Sequence, residues 1–263
     1  MIFVFSVWQA RGQQGDFLFE NAYSHGLTQS ITAAPAVMAA TANPAATGNI
    51  KQWFICIGAA QPYFLKNIYN GNFQAGFRLA PGHTMSIGAN YSGNTVYQES
   101  QLNASYTIQL AKGSFLGLRL HGVSVTAPEA ERIYSGTFTL GFQTLISSQL
   151  SIGASLFNPI GLFRENKNND LGNSVRVGIA YMPADYLSFF LQGNLENEYP
   201  VNFSGGVNYT INKKLNLYLS AKTNPALFGI GIGYLLNNSR IDLSATQHFQ
   251  LGLTPALSFL YEK

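Results

Sequence analysis

The sequence predicts an all-β fold, an antiparallel transmembrane β-barrel of about fourteen strands with a short, partly helical plug at its N-terminus. Large apolar side chains alternate with glycine or polar residues, most regularly in Leu227–Leu235. The chain is 46% hydrophobic but only 10% charged, and no apolar run approaches the roughly 20 residues that a membrane-spanning helix needs. Strands turn successive side chains to opposite faces, so this pattern is typical of a barrel with one face on lipid.

The first twelve residues predict the remnant of a signal peptide. Ile2–Trp8 is a short apolar stretch, and Ala10 and Gly12 occupy the −3 and −1 positions of a cleavage site before Gln13. An ordinary N-terminal strand is the alternative.

The segment 13–50 predicts a plug. Its core, Ser30–Thr47, is rich in alanine and shows no alternation, and we expect a short helix broken at Pro35 and Pro44. Such a small-residue segment can pack inside the lumen of a barrel. The alternative is a disordered periplasmic lead-in to the barrel.

From residue 51 to residue 263 the sequence predicts the barrel itself. The expected strands are Trp53–Ala59, Phe73–Leu79, Thr84–Tyr91, Gln101–Leu110, Phe115–Val125, Tyr134–Leu145, Leu150–Phe157, Ser174–Tyr181, Tyr186–Leu195, Val201–Ile211, Leu215–Lys222, Phe228–Leu236, Ile241–Phe249 and Pro255–Tyr261. Short connections alternate with mostly longer ones, of which Asn158–Asn173 is the longest. Outer-membrane barrels have short periplasmic turns and longer external loops, so we expect an outer-membrane location with both termini in the periplasm.

Strand parity predicts which side chains line the lumen. A charge that pointed into lipid would cost about 2–4 kcal/mol at the bilayer midplane. The charged and histidine side chains that parity turns inward form a candidate lumenal polar network: Arg78, Arg119, His121, Arg176, Lys222, Arg240, Asp242 and His248. We expect this network to hold the lumen and the plug together; a polar gate or a ligand contact is the alternative.

Parity also turns Gly229, Gly231 and Gly233 inward, which leaves a bare track on the inner wall. We expect the plug, or the inward aromatic ring of Tyr218 on the neighbouring strand, to cover this track.

No residue pattern predicts catalysis, a metal, a cofactor or nucleic acid as a ligand. Asp242 and Ser244 share a strand face about 7 Å apart, with His248 farther away, which does not suit a hydrogen-bonded relay. The sequence has no spacing typical of metal ligands. Its net charge is only +3, and its basic residues form no cluster of the kind that binds nucleic acid. We therefore expect a non-enzymatic protein. The longest external loop offers a candidate partner contact at Arg164, Glu165, Lys167 and Asp170, although such loops are usually only solvated.

Several motifs resemble those of a known family. The small-residue segment contains Asn43-Pro44-Ala45, and the closing part of the chain contains Thr223–Gly231, Arg240–Ala245 and His248–Pro255. Together with the strand count, these motifs resemble the PorV/PorQ-like outer-membrane proteins of Bacteroidota, within the wider FadL-type barrel superfamily. In that family the plug motif continues with Gly-Leu, where this chain has Ala46-Thr47.

The resemblance implies two alternative functions. PorV-like members bind exported proteins for the type IX secretion system, which implies a protein-binding or assembly component of that or another envelope complex. FadL-like members conduct hydrophobic small molecules through the lumen and out sideways. The expected partners are outer-membrane lipid and either protein partners or a hydrophobic ligand. An open lumen would favour transport, and a lumen filled by Ser30–Thr47 would favour partner binding.

Overall fold

The structure, a computed structural model, describes residues 20–127, 132–163, 171–196 and 200–263. Fourteen strands form its wall. In chain order they are β1 (Trp53–Ala60), β2 (Tyr69–Ala80), β3 (His83–Gly93), β4 (Gln98–Ala111), β5 (Ser114–Thr126), β6 (Ile133–Leu145), β7 (Leu150–Phe157), β8 (Ser174–Ala184), β9 (Leu187–Glu196), β10 (Asn202–Ile211), β11 (Leu215–Lys222), β12 (Leu227–Leu236), β13 (Ser239–His248) and β14 (Gly252–Glu262).

The sheet closes on itself, which confirms the predicted barrel. Each strand pairs antiparallel with its neighbours in the chain, and β1 pairs with β14 in a register that places Ile57 opposite Phe259. Closure leaves no strand edge unpaired, and a lipid-embedded sheet requires this because lipid offers no hydrogen-bond partners.

The two faces of the sheet differ as alternation predicts. Outward side chains are large, apolar and exposed, such as Leu102, Leu120 and Ile230. Their inward neighbours are buried and mostly small or polar, such as Gln101 and Arg119. The buried core of the molecule is therefore the filled lumen rather than a layer between two sheets.

The two ends of the barrel are unequal. At the end where β1 begins, here called the turn end, the connections are 81–82, 112–113, 146–149, 185–186, 212–214 and 237–238. At the opposite end, here called the loop end, they are 61–68, 94–97, 127–132, 158–173, 197–201, 223–226 and 249–251. The loop-end connections are mostly longer, as predicted, although 249–251 is as short as a turn. A periplasmic position for the turn end stays a prediction.

Some predicted boundaries were wrong. The first loop is shorter than expected because β2 begins at Tyr69, and Tyr186 and Phe249 lie in connections rather than in strands. These residues are apolar enough to continue a periodic pattern, but they lie where the chain already turns.

The plug segment, residues 20–50, lies inside the lumen. It contains a five-residue helix, α1 (Ala22–Gly26), which Asn21 caps by accepting the backbone N–H of Ser24 at 2.8 Å. Two 3₁₀ helices follow at Val37–Ala39 and Pro44–Asn49. Pro44 begins the second of these helices instead of breaking one, because proline is tolerated in a first helical turn.

Two more short helices lie in loop-end connections, a 3₁₀ helix at Pro62–Phe64 in the first and α2 (Pro159–Phe163) in the longest. No helix among the described residues is long and apolar enough to cross a membrane. The predicted signal remnant, 1–12, falls outside the described part of the chain.

Candidate functional site

The plug motif anchors the segment to the wall. The side-chain amide of Asn43 donates to the carbonyl oxygens of Thr32, at 2.9 Å, and Phe142, at 3.0 Å. Its side-chain oxygen accepts the backbone N–H of Ala45 at 3.0 Å. One buried amide thus ties a plug turn, the start of a 3₁₀ helix and strand β6 together, and this explains why the motif needs asparagine before proline.

Glycines on the inner wall make room for the plug backbone. A Cβ atom at Gly117 would lie 2.6 Å from the backbone nitrogen of Ala45, and one at Gly141 would lie 2.7 Å from Cγ of Pro44. A Cβ atom at Gly153 would lie 2.7 Å from Cα of Ala33. These separations are shorter than carbon atoms tolerate without displacement. The contact between the plug backbone and strands β5, β6 and β7 was not predicted from the sequence. The inward-facing glycines on these strands were the feature that could have indicated it.

The predicted glycine track on β12 is covered by both expected partners. A Cβ atom at Gly229 would lie 2.6 Å from the carbonyl oxygen of Gly26 in the plug. At Gly231 and Gly233 it would overlap the ring and hydroxyl of Tyr218. The bare track is therefore the surface against which the buried Tyr218 ring lies.

Tyr218 belongs to a buried charged cluster near the turn end. Arg240 donates from Nε to Asp242 at 2.9 Å and from Nη2 to the Tyr218 hydroxyl oxygen at 3.1 Å. The Tyr218 hydroxyl donates to the same carboxylate. The guanidinium carbon lies 4.5 Å from the ring centroid of Tyr23 in the plug, which adds a cation–π contact.

Arg176 and Arg119 also bind the plug directly. Arg176 forms an ion pair of 2.6 Å with Glu20, and both side chains are buried. Arg119 donates from Nη1 to the carbonyl oxygen of Thr41 at 2.7 Å and from Nη2 to that of Ala40. Hydrogen bonds to ionised groups are stronger than neutral ones, so these arginines contribute to holding the plug.

The remaining predicted members make other contacts, although His121 lines a small cavity together with Arg119 and Arg176. Arg78 donates to the carbonyl oxygen of Ile50, but its side chain is exposed near the turn end. His121 lies 2.8 Å from Thr139 through Nε2. Lys222 is buried at the end of β11.

His248 lies at the loop end, where its Nδ1 accepts backbone N–H groups of Gln250 at 3.1 Å and Leu251 at 3.2 Å. A single lumenal network therefore stays a prediction. Parity gives the face of a side chain but not its partner, and the observed contacts join Arg240 to Asp242 and join Arg119 and Arg176 to the plug.

The other candidate residues form neither a catalytic trio nor a metal site in the described part of the chain. Ser244 lies 3.3 Å from His25 of the plug through its hydroxyl oxygen. The described residues hold no cluster of three or more histidine, cysteine, aspartate or glutamate side chains suited to a metal ion. The predicted loop contact at Arg164, Glu165, Lys167 and Asp170 falls outside the described residues.

Two cavities lie on opposite sides of the plug. A cavity of about 50 Å³ on the loop-end side is lined by Glu20, Arg119, His121, Arg176 and polar side chains of β2–β4. A cavity of about 390 Å³ opens near the turn end, between the plug segment 35–38 and the wall formed by β12–β14. The plug therefore separates a small charged space from a larger one.

We expect acid to weaken the folded state through His25. Its ring nitrogens lie 2.9 Å from Thr246 and 3.3 Å from Ser244, and burial lowers its pKa from 6.5 to about 4. Between about pH 6.5 and pH 4, His25 is protonated in the unfolded chain but neutral in the folded chain. The free energy of unfolding therefore falls as the pH drops across this window. Thermal unfolding at pH 7.5, 5.5 and 4.5 measures the loss.

His25→Asn should flatten that pH dependence, because asparagine keeps a hydrogen-bonding side chain without a titrating ring. The exposed His83 provides the control, and His83→Asn should unfold with the pH dependence of the unaltered protein. Equal pH dependence in all three proteins would contradict the prediction.

Comparisons with known proteins give structural matches only. No protein-family model and no curated protein matches the sequence. The Pseudomonas putida toluene transporter TodX is 11% identical, with a TM-score of 0.71 over 95% of this chain and 100% of that chain. The monoaromatic hydrocarbon channel CymD is 12% identical, with a TM-score of 0.70 over 92% and 97%.

A FadL homologue of Pseudomonas aeruginosa is 10% identical, with a TM-score of 0.65 over 92% of this chain and 98% of that chain. These likenesses show the fold alone, a closed β-barrel shared with these proteins. Together with the closed sheet and its apolar outer face, they establish an outer-membrane β-barrel.

Proposed function

We propose that this protein is a non-enzymatic channel that admits small hydrophobic molecules across the outer membrane. The observation that carries the proposal is its likeness to TodX and CymD over nearly the full length of all three chains. Fold alone does not give function, so the proposal also draws on how the lumen is filled.

A filled lumen would by itself favour partner binding, as expected from the sequence. However, the match to TodX covers 95% of this chain, so the segment 20–50 cannot lie wholly outside it. A plugged lumen is therefore compatible with the fold of a hydrocarbon channel. It also argues against a water-filled pore for ions and sugars, because plug side chains such as Leu27, Ile31 and Ile50 are fully buried inside the barrel.

The plug is held by groups that can exchange partners. Asn43, Arg119 and Gln143 each donate to backbone carbonyl oxygens across the plug–wall boundary. Each such hydrogen bond contributes only about 0.5–1.5 kcal/mol net, or about 1.5–3 kcal/mol with a charged donor. A local rearrangement that breaks a few of them would open a path between the two cavities without unfolding the wall.

Uptake of toluene tests the proposal. Cells without another hydrocarbon channel should take up toluene several-fold faster when they produce this barrel, while uptake of a hydrophilic sugar of similar size stays unchanged. The same cells producing an unrelated outer-membrane barrel at equal level are the control. Faster sugar uptake with unchanged toluene uptake would replace the proposal with a water-filled pore.

A second candidate is a PorV/PorQ-type binding component of type IX secretion or another envelope complex. Exposed apolar side chains on adjacent loop-end connections favour it, with Phe64 58% exposed and Phe249 67% exposed. Such patches often mark interaction sites. Affinity purification from native outer membranes should then recover a specific exported protein. Recovery of lipid-like ligand without protein would exclude this candidate.

A further inference from the structure

We infer that the turn-end cavity is a binding site for a small, neutral aromatic molecule on the far side of the plug from the loops. This inference rests on the proposed function and adds to it a ligand class and a place where the ligand dwells. The cavity of about 390 Å³ falls in the size range of ligand pockets, about 300–1,000 Å³.

The floor of the cavity is apolar and belongs to both plug and wall. Val37 and Met38 come from the plug, and Leu235 and Leu260 come from β12 and β14. Val37, Met38 and Leu260 are nearly fully buried. Methionine adapts to ligands of irregular shape and makes favourable contacts between sulfur and aromatic rings. The floor therefore suits an apolar ring better than a sugar or a peptide.

Arg240 places a fixed positive charge at one side of the cavity, and this charge is already neutralised within the protein. Asp242 pairs with its Nε at 2.9 Å, and this carboxylate is fully buried, so the charge of the guanidinium is already balanced. The guanidinium is held in place by the Tyr218 hydroxyl and lies over the Tyr23 ring. A positioned arginine attracts the face of an aromatic ring, whereas a carboxylate ligand would have to compete with Asp242.

The rim is polar, and it separates the floor from solvent. Asn237, Asn238 and Glu262 lie on the wall side, and Asn49 and Lys51 lie on the plug side. An apolar floor with a few polar groups around it is the usual composition of a small-molecule site.

The loop-end cavity offers a contrast within the same lumen. It measures about 50 Å³ and is lined by Glu20, Arg119 and Arg176. Moving an apolar ring into that charged space would displace water from ionised groups without replacing their hydrogen bonds. Of the two cavities described, the turn-end cavity therefore fits a hydrocarbon that has passed the plug.

Methyl NMR of the detergent-solubilised protein tests the site. With methionine methyl groups labelled, the signal of Met38 should shift saturably during titration with toluene. Met85 is exposed on the outer face, and its signal should change only linearly as toluene partitions into detergent. A linear response at Met38 would overturn the inference.

Variants link the signal to the cavity. Ala36→Trp fills the cavity from the plug side and should weaken saturable binding at least tenfold, and Leu235→Trp fills it from the wall side if the first variant does not fold. Lys112→Trp, in an exposed turn at the same end, should bind toluene normally. Unchanged binding in a folded cavity variant would place the ligand elsewhere.

Two comparisons keep the inference separable from the proposed function. Benzoate should bind at least tenfold more weakly than toluene, and equal or tighter benzoate binding would overturn the neutral ligand class. Saturable binding at Met38 without toluene uptake would leave the site standing and refute the channel. Toluene uptake without saturable binding at Met38 would refute the site and leave the channel standing.

Discussion

Replacing Asp242 with alanine is expected to destabilise the barrel by about 3–5 kcal/mol, the cost of leaving one partner of a buried ion pair alone. The carboxylate is fully buried and accepts hydrogen bonds from Arg240 and Tyr218. Without it, the guanidinium keeps its charge in the lumen and loses its main partner. The Tyr218 hydroxyl, fitted against Gly231 and Gly233, loses its acceptor at the same time.

Urea unfolding in a fixed detergent or lipid measures the loss. Asp185→Ala is the matched control, because Asp185 is exposed in a turn at the same end and should change stability by less than about 0.5 kcal/mol. The double variant Asp242→Leu with Arg240→Met should recover much of the loss, since replacing a whole buried pair by apolar groups is often close to neutral. Equal stability of Asp242→Ala and Asp185→Ala would show that the cluster does not hold the wall and the plug together.

Gly117→Leu is expected to displace the plug and turn a closed lumen into a conducting one. Any side chain at Gly117 would collide with the backbone of Pro44 and Ala45, and this backbone cannot move aside without releasing the Asn43 anchor. Overpacking typically costs about 1–3 kcal/mol, which is comparable with the few hydrogen bonds that hold this part of the plug. The plug should therefore leave its seat before the wall unfolds.

Planar bilayer recordings measure the effect as ion conductance. The unaltered protein should conduct little, and Gly117→Leu should show stepwise openings. In a separate digestion, a protease should cleave the segment 20–50 in Gly117→Leu but not in the unaltered protein. Gly122→Leu is the control on the same strand: Gly122 faces outward, and a Cβ atom there would meet nothing within 4 Å, so leucine should leave the lumen closed. A silent Gly117→Leu barrel with an intact plug would contradict the prediction.

The sequence predicted most of the wall because membrane strands obey a local rule. Parity placed Leu102 outward and Gln101 inward without knowledge of any partner, and lipid penalises exceptions. Parity also anticipated that Tyr218 or the plug would cover Gly229–Gly233, since an inward glycine track next to an inward tyrosine leaves few other solutions.

Partners inside the lumen could not be predicted, because their contacts join distant parts of the chain. Asn43 donates to Phe142, 99 positions away, and Arg176 pairs with Glu20, 156 positions away. Neither spacing leaves a periodic signal in the sequence. Parity could therefore assign the six charged residues and two histidines to the inner face, but it could not assign their partners.

The position of the plug ahead of β1 has a consequence for how the protein matures. The seam of the barrel joins β1 to β14, so the wall can close only after the last strand has been made. The plug precedes β1 and contacts strands on both sides of the lumen, α1 against β11–β14 and Pro44–Asn49 against β3–β6. A segment with such distributed contacts is enclosed when β1 and β14 pair. Inserting it later into a closed barrel would remove its polar groups from water before they reached their hydrogen-bond partners. Wall closure and lumen filling are then one concerted late step, and a nascent chain that stalls before β14 would expose both its plug and the unpaired edge of β1.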